Sequence, residues 1–273
     1  MNWPPALEFS STPTVPAKND GLLADIASVL VRLDGYLAHV RSAEGASIGK
    51  NAGDSPVLAS IAAFGGDMFG NLYTDPVRLE GFLRAMTGVT TPIADALAGV
   101  FPWERVSSVV DVGSAQGCVP VRLALAHSHL TASGFDLPQV GPIFSRYVAA
   151  HDLSERVRFI PGDFFHDSLP PADVHIMGMI LHDWDLPAKR MLLGKAYASL
   201  PQGGSLIVCG MLIDDERRAH LPGLLMSLNM LIETRGGFDF SGADCIGWMR
   251  DAGFSAARVV PLSGAYSAVV GTK

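Results

Sequence analysis

Three aspartates close three short apolar runs, and each stands beside residues suited to one part of a ligand. Asp111-Val112-Gly113-Ser114-Ala115-Gln116-Gly117 ends the first run and opens an amphipathic stretch. Small residues there let the backbone approach a ligand closely, and a helix N-terminus behind them presents free amides and a partial positive charge. Such a loop suits a carboxylate or a phosphate, and taken alone it serves equally as a structural turn. It departs from the dinucleotide fingerprint, which needs glycines at its first, third and sixth positions; here those are Gly113, Ala115 and Cys118. Asp111, just ahead of Gly113, is placed to face the ammonium end of an amino-acid ligand. Asp136, in Gly134-Phe135-Asp136-Leu137-Pro138, ends the next run and suits the two hydroxyls of a ribose. Asp163, in Gly162-Asp163-Phe164-Phe165, ends the third, where an acid or a backbone group can meet an adenine amino group while an aromatic packs on the ring. An Asp after Gly is otherwise a turn residue. Three acids at three successive strand ends, however, fall together on the carboxyl edge of a sheet, where open α/β sheets bind ligands.

The elements that must carry these residues follow from hydrophobic spacing. The first twenty residues hold Pro4, Pro5, Pro13 and Pro16 and read as an irregular arm. Helical spacing runs over 21–40, 56–64, 76–86 and 91–100, with a polar, glycine-rich loop over 42–53, so residues 1–100 read as an all-α region. After Pro102 strands and helices alternate. Strands are expected over 107–112, 130–135, 157–160, 174–181 and 205–213, with helices over 118–126, 138–150 and 187–200. A helix over 242–252 and two strands, 256–261 and 266–270, joined at Ser263-Gly264, complete an α/β domain of residues 101–273. The alternation argues for a mostly parallel sheet with helices on both faces and a C-terminal antiparallel hairpin.

Composition narrows the function classes. A net charge of −7 over 273 residues, without a run of five like charges, argues against a nucleic-acid partner. Cys118, Cys209 and Cys245 lack zinc or disulfide spacing, which points to a reducing, cytoplasmic setting. The N-terminus does not read as a signal peptide, and no apolar run is long enough for a bilayer. The histidines show no metal-ligand spacing, so no metal is expected.

Taken together, DVGSAQG, GFDLP, GDFF, Ile180-Leu181-His182-Asp183-Trp184-Asp185 and Ala198-Ser199-Leu200-Pro201-Gln202-Gly203-Gly204 resemble the O-methyltransferases of the caffeic acid and acetylserotonin class. Ser227-Leu228-Asn229-Met230-Leu231 and Gly236-Gly237-Phe238-Asp239-Phe240 resemble its bacterial natural-product branch. The resemblance runs from about Gly66 to Lys273. It implies a Rossmann-like class I methyltransferase sheet, S-adenosylmethionine as cofactor, a homodimer, and an acceptor hydroxyl on a small aromatic or polyketide-like metabolite. The cofactor residues it implies are Asp111, Gly113, Ser114, Gly117, Asp136, Leu137, Asp163 and Phe164. Trp184, Asn229 and Met230 would line the acceptor.

His182 would be the general base, with Asp239 matching the second supporting acid, although it also reads as a loop residue. Asp183 and Asp214 are the acids near in sequence to the one that Gly210 lacks. A phenol, with a pKa of about 10, is a poor nucleophile when neutral. An imidazole with a pKa of roughly 6.5 can take its proton as the oxygen attacks, an effect typically worth about 10²–10⁴-fold. Outside this setting His182 reads as a helix-start residue. Two departures stand out. Counting from the histidine segment, Gly210 occupies the position in the fifth strand where the resemblance implies an acid that orients the histidine, and a histidine without that acid can adopt the wrong tautomer. About 65 unfamiliar residues also stand where the class carries a longer dimerisation domain, so 1–100 reads as a shortened dimerisation and lid region. These departures keep two other readings open, cofactor use without methyl transfer and a catalytically silent binding subunit; a nicotinamide dehydrogenase is a remote alternative, disfavoured by Cys118 at the required glycine.

Overall fold

The computed structural model describes residues 72–234 and 236–273. The expected arm over 1–20, the helices over 21–40 and 56–64, and the loop over 42–53 lie outside them. In chain order the elements are α1 (Pro76–Val100), β1 (Ser108–Val112), α2 (Cys118–Ala126), β2 (Thr131–Asp136), α3 (Gly141–Ala149), β3 (Val157–Pro161) and β4 (Val174–Gly178). They continue with α4 (Leu186–Ser199), β5 (Ser205–Gly210), α5 (Leu221–Glu233), α6 (Gly242–Asp251), β6 (Ala256–Pro261) and β7 (Ser267–Thr272).

The seven strands form one sheet in the order β3-β2-β1-β4-β5-β7-β6. β1 to β5 are parallel, β7 runs antiparallel to β5, and β6 runs antiparallel to β7. Successive residues of a strand point to opposite faces, and the core divides accordingly. Val109, Ile176, Ile207 and Cys209 join α1, α2 and α3 on one face. Val110, Val112, Met177, Leu206 and Val208 join α4 and α6 on the other. The expected parallel sheet, its helical layers and its closing hairpin are all present.

Three expectations change. The helices over 76–86 and 91–100 are one helix, α1, which runs through Pro92. Proline removes the ladder donor to the Gly88 carbonyl; on the preceding turns the hydroxyls of Thr87 and Thr91 back-bond to the carbonyls of Leu83 (3.2 Å) and Thr87 (2.7 Å). One buried stripe of Leu79, Leu83, Ile93, Ala94 and Leu97 continues across the proline and keeps the halves in register. Trp103 pins the helix end, its indole N–H donating to the Leu97 carbonyl at 3.0 Å from a fully buried position. The fourth and fifth strands stop at Gly178 and Gly210, short of Leu181 and Ile213. The apolar residues beyond those ends pack as a short helical turn, Leu181–Asp183, and as connecting chain. Residues 138–140 likewise form a separate short turn before α3.

Candidate functional site

The carboxyl edge of β1, β2, β3 and β4 opens into a cavity of about 480 Å³. Its first end is built by the loop after β1. Gly113, Ala115 and Gly117 all adopt positive φ (74°, 49° and 93°), which turns the chain sharply into α2. At Gly113 a side chain would be strained by that φ and would also run into Ile180. Asp111 is 4% exposed and lines the cavity. Burial, with the nearby Asp136 charge adding to it, pushes its carboxyl well above the usual range. Asp136 accepts the Ala115 N–H on Oδ2 at 2.9 Å and the Leu137 N–H on Oδ1 at 2.7 Å. Burial outweighs these two bonds and raises its carboxyl to about 6. A carboxylate offers about four lone-pair sites, so each Asp136 oxygen retains capacity for a ligand. Ser114 Oγ is buried without a partner among the described residues.

Asp163 reaches the cavity with both oxygens already engaged in its own turn, by the Phe165 N–H and by His166 Nδ1, each at 2.8 Å. Burial pulls this carboxyl upward, but those bonds and the Lys195 charge hold it below the usual range. Leu137 and Phe164 line the cavity. Gly117 does not: it turns the chain at the start of α2, beside the Phe144 ring.

The second end carries His182, on the short turn after β4 and 6% exposed. Its Nδ1 lies 3.3 Å from Asp239 Oδ1, and its Nε2 lies 3.5 Å from Asp183 Oδ1. Burial disfavours the imidazolium, but the Asp239 bond and both carboxylate charges prevail and raise the pKa. Asp183 is raised to about 6 by burial, with Asp239 and Glu233 adding to it and His182 and Lys189 opposing. Asp239 is 3% exposed, and its Oδ2 has no partner among the described residues. It belongs to the segment between α5 and α6, anchored by its own N–H to Ser227 Oγ at 3.1 Å. That segment comes close to the histidine turn because residue 237 is glycine: a Cβ there would lie 2.6 Å from the His182 carbonyl and 2.8 Å from that of Asp183. Gly210 offers no side chain at the end of β5, so the carboxylate beside Nδ1 comes from Asp239.

Trp184, Asn229 and Met230 also reach the cavity. Trp184 stands edge-on to Phe164 and Phe165, with ring centroids 5.9 and 4.6 Å away. The Asn229 side-chain amide donates to Glu233 Oε2 at 2.9 Å. Tyr73 and Phe82, from the chain ahead of β1, are cavity residues too.

Sequence reasoning missed Glu233, Met179 and Lys189. Met179 follows β4 at the cavity wall with φ of 57°, a left-handed conformation that is uncommon for non-glycine residues. Lys189 is 0% exposed. Its signal was available, because Lys189, Leu192, Leu193 and Ala196 recur at helical spacing and place the lysine on the buried face of α4. Among the described residues no group of His, Cys, Asp and Glu side chains could hold a metal ion, and no helix is long and apolar enough to cross a membrane.

Residues 50–255 match the O-methyltransferase domain family. The tetracenomycin polyketide synthesis 8-O-methyl transferase TcmO of Streptomyces glaucescens is 40% identical over 208 residues, covering 76% of this chain and 61% of that protein. The 3-hydroxy-5-methyl-1-naphthoate 3-O-methyltransferase of Streptomyces sahachiroi is 34% identical over 206 residues, covering 74% and 59%. Human N-acetylserotonin methyltransferase, solved in complex with SAM, shares the fold at a TM-score of 0.72 and 26% identity, covering 78% of this chain and 62% of that one. The chain spans about three-fifths of the length of these two curated relatives.

Proposed function

This chain belongs to the O-methyltransferase domain family, and from that premise we propose that it methylates a hydroxyl of a small aromatic or polyketide-like acceptor, with S-adenosylmethionine as donor and His182 as general base. The observation that carries the reading is one cavity with a row of buried carboxylates at one end and, at the other, a histidine whose two ring nitrogens both face carboxylates.

The residues present fit the cofactor. The Asp111 carboxylate lines the cavity, Asp136 keeps acceptor capacity suited to ribose hydroxyls, and the Ser114 hydroxyl is buried without a partner. Phe164 and Leu137 supply apolar surface for a purine. When bound, S-adenosylmethionine supplies a methyl group on a positively charged sulfur. His182 takes the acceptor's proton, and Asp239 holds Nδ1 so that Nε2 faces the work. Asp183 and Asp239 stabilise the imidazolium that results. Met230 and Trp184 present soft and aromatic surface to a flat acceptor, and Asn229 and Glu233 offer polar contacts at its rim. The names of the two Streptomyces relatives, a polyketide and a naphthoate O-methyltransferase, agree with an aromatic acceptor. Pairing of two copies, implied by the resemblance, belongs to the same reading and is checked by sedimentation. Cofactor use without methyl transfer drew its motive from Gly210, and Asp239 beside Nδ1 removes that motive.

The test is His182→Ala assayed on a panel of hydroxylated naphthalenes and anthraquinones. Methyl transfer should fall by about 10²-fold or more, with affinity for S-adenosylhomocysteine intact, and in the wild type S-adenosylhomocysteine should accumulate mole for mole with product. A variant that keeps near-full activity removes His182 from the chemistry; product without S-adenosylhomocysteine defeats methyl transfer.

A further inference from the structure

Lys189 is wholly buried, yet it carries a charge in among the carboxylates of Asp183, Asp185 and Asp239. Its ammonium donates to the Trp184 carbonyl. It also stands 3.5 Å from the centre of the Phe238 ring and 5.7 Å from that of Phe240. Trp184 closes the turn that bears His182 and Asp183, while Phe238 and Phe240 flank Asp239. One nitrogen therefore touches both chain segments that bring the histidine and its carboxylate together. The carboxylates facing it are Asp183 and Asp185 from the turn and Asp239 from the segment after α5, and Glu233 at the end of α5 acts on Asp183 in its turn. Among the described residues none of these forms a direct ion pair with Lys189. Burying an ammonium is costly, and an apolar residue of the same length would fill the space at less cost.

We infer that Lys189 is a positioning residue for the His182–Asp239 pair: it ties their two segments to one point and counterbalances the carboxylates around the imidazole. This rests on the reading of His182 as the base. Asp183 and Asp239 both face the ring and favour the imidazolium, the form that has no free nitrogen to take a proton. Lys189 is the positive charge that acts against them.

Lys189→Met keeps the length of the side chain and deletes the charge, whereas Phe238→Leu loosens the tether and keeps the charge. Three measurements on the full chain separate the possibilities: affinity for S-adenosylhomocysteine by calorimetry, the His182 imidazole titration by NMR without acceptor, and the pH profile of kcat. For Lys189→Met we expect affinity within about twofold of wild type and a His182 midpoint raised by about 0.5–1 pH unit, less than a charge in direct contact would give. The acid limb of kcat should move up with that midpoint, and kcat at pH 7 should fall roughly tenfold while acceptor KM stays within about threefold. Phe238→Leu should lower kcat and leave the midpoint in place. An unmoved midpoint in folded Lys189→Met overturns the inference, as does a loss of S-adenosylhomocysteine affinity that matches the loss of activity. Lys189→Gln reads the same midpoint if the Met variant does not fold. Undiminished activity in His182→Ala would strike the base reading instead, and the NMR midpoint would still decide what Lys189 does to the ring.

Discussion

Replacing Asp136 by Asn should make the ligand-free protein more stable near neutral pH and less stable in mild acid. Burial raises this carboxyl from 3.8 to about 6, against two backbone hydrogen bonds that favour the ionised form. A displacement of that size corresponds to about 3 kcal/mol between the two protonation states. Because the folded value is the higher one, the associated stability is fully present below pH 3.8 and is lost as the pH rises through about 6. At pH 7.5 the wild type bears the whole penalty of a buried anion, and the asparagine variant does not. Asparagine has one acceptor oxygen, however, so either the Ala115 or the Leu137 N–H meets an amide NH₂, at a cost of about 1–2 kcal/mol. The balance is a gain of about 1–2 kcal/mol at pH 7.5 and a loss of similar size at pH 4, where the wild-type carboxyl is already neutral. Urea unfolding at the two pH values reads the change of sign. Calorimetry at pH 7.5 should also show affinity for S-adenosylhomocysteine reduced about 100-fold, because two charge-assisted bonds become weaker or absent. A stability difference of one sign at both pH values, or affinity within about fivefold of wild type, would refute the assignment of Asp136 as a buried anion held ready for a ligand.

The other expectations concern the histidine and the acceptor wall. Asp239→Asn removes the charge beside His182 Nδ1; the acid limb of kcat should move down by about 1–2 units and kcat should fall about 10²-fold, and an unmoved limb would dissociate Asp239 from the base. Gly237→Ala puts a methyl group against the His182 and Asp183 carbonyls, so denaturant unfolding should show a loss of about 1–3 kcal/mol, with kcat lowered and S-adenosylhomocysteine affinity within about threefold; an unchanged kcat would show that the two backbones need not meet so closely. Met230→Ala opens the acceptor end, and should raise acceptor KM by about tenfold, in keeping with about 1–3 kcal/mol of lost contact, while the KM for S-adenosylmethionine stays put. Equal changes in both constants would move Met230 out of the acceptor wall.

Much of this architecture was legible in one dimension. The alternation of apolar runs and amphipathic stretches after Pro102 is periodic, and periodicity maps directly onto strands and helices. Acids at the ends of successive parallel strands must share an edge, so Asp111, Asp136 and Asp163 could be grouped before any coordinate was known. The misjudged boundaries share a cause. Apolar residues continue past Gly178 and Gly210, so hydrophobicity alone extends both strands, whereas hydrogen-bonding partners end there. Pro92 reads as a break, and only the continuous buried stripe on α1 shows why the helix persists.

By itself the sequence determined the sheet, its closing hairpin and the edge on which a ligand would lie, because those depend on local periodicity and on strand direction; the histidine was singled out by the resemblance of its segment to the family's. The resemblance offered Asp239 and Asp183 as acids for His182, and only the tertiary structure decided which ring nitrogen each one faces. Asp183 is its chain neighbour, whereas Asp239 arrives from a segment 57 residues away, admitted by the missing side chain at Gly237. The same packing buries Lys189 between that segment and the turn. Contacts of this kind depend on how two distant backbones approach each other, and spacing along one chain does not encode that distance.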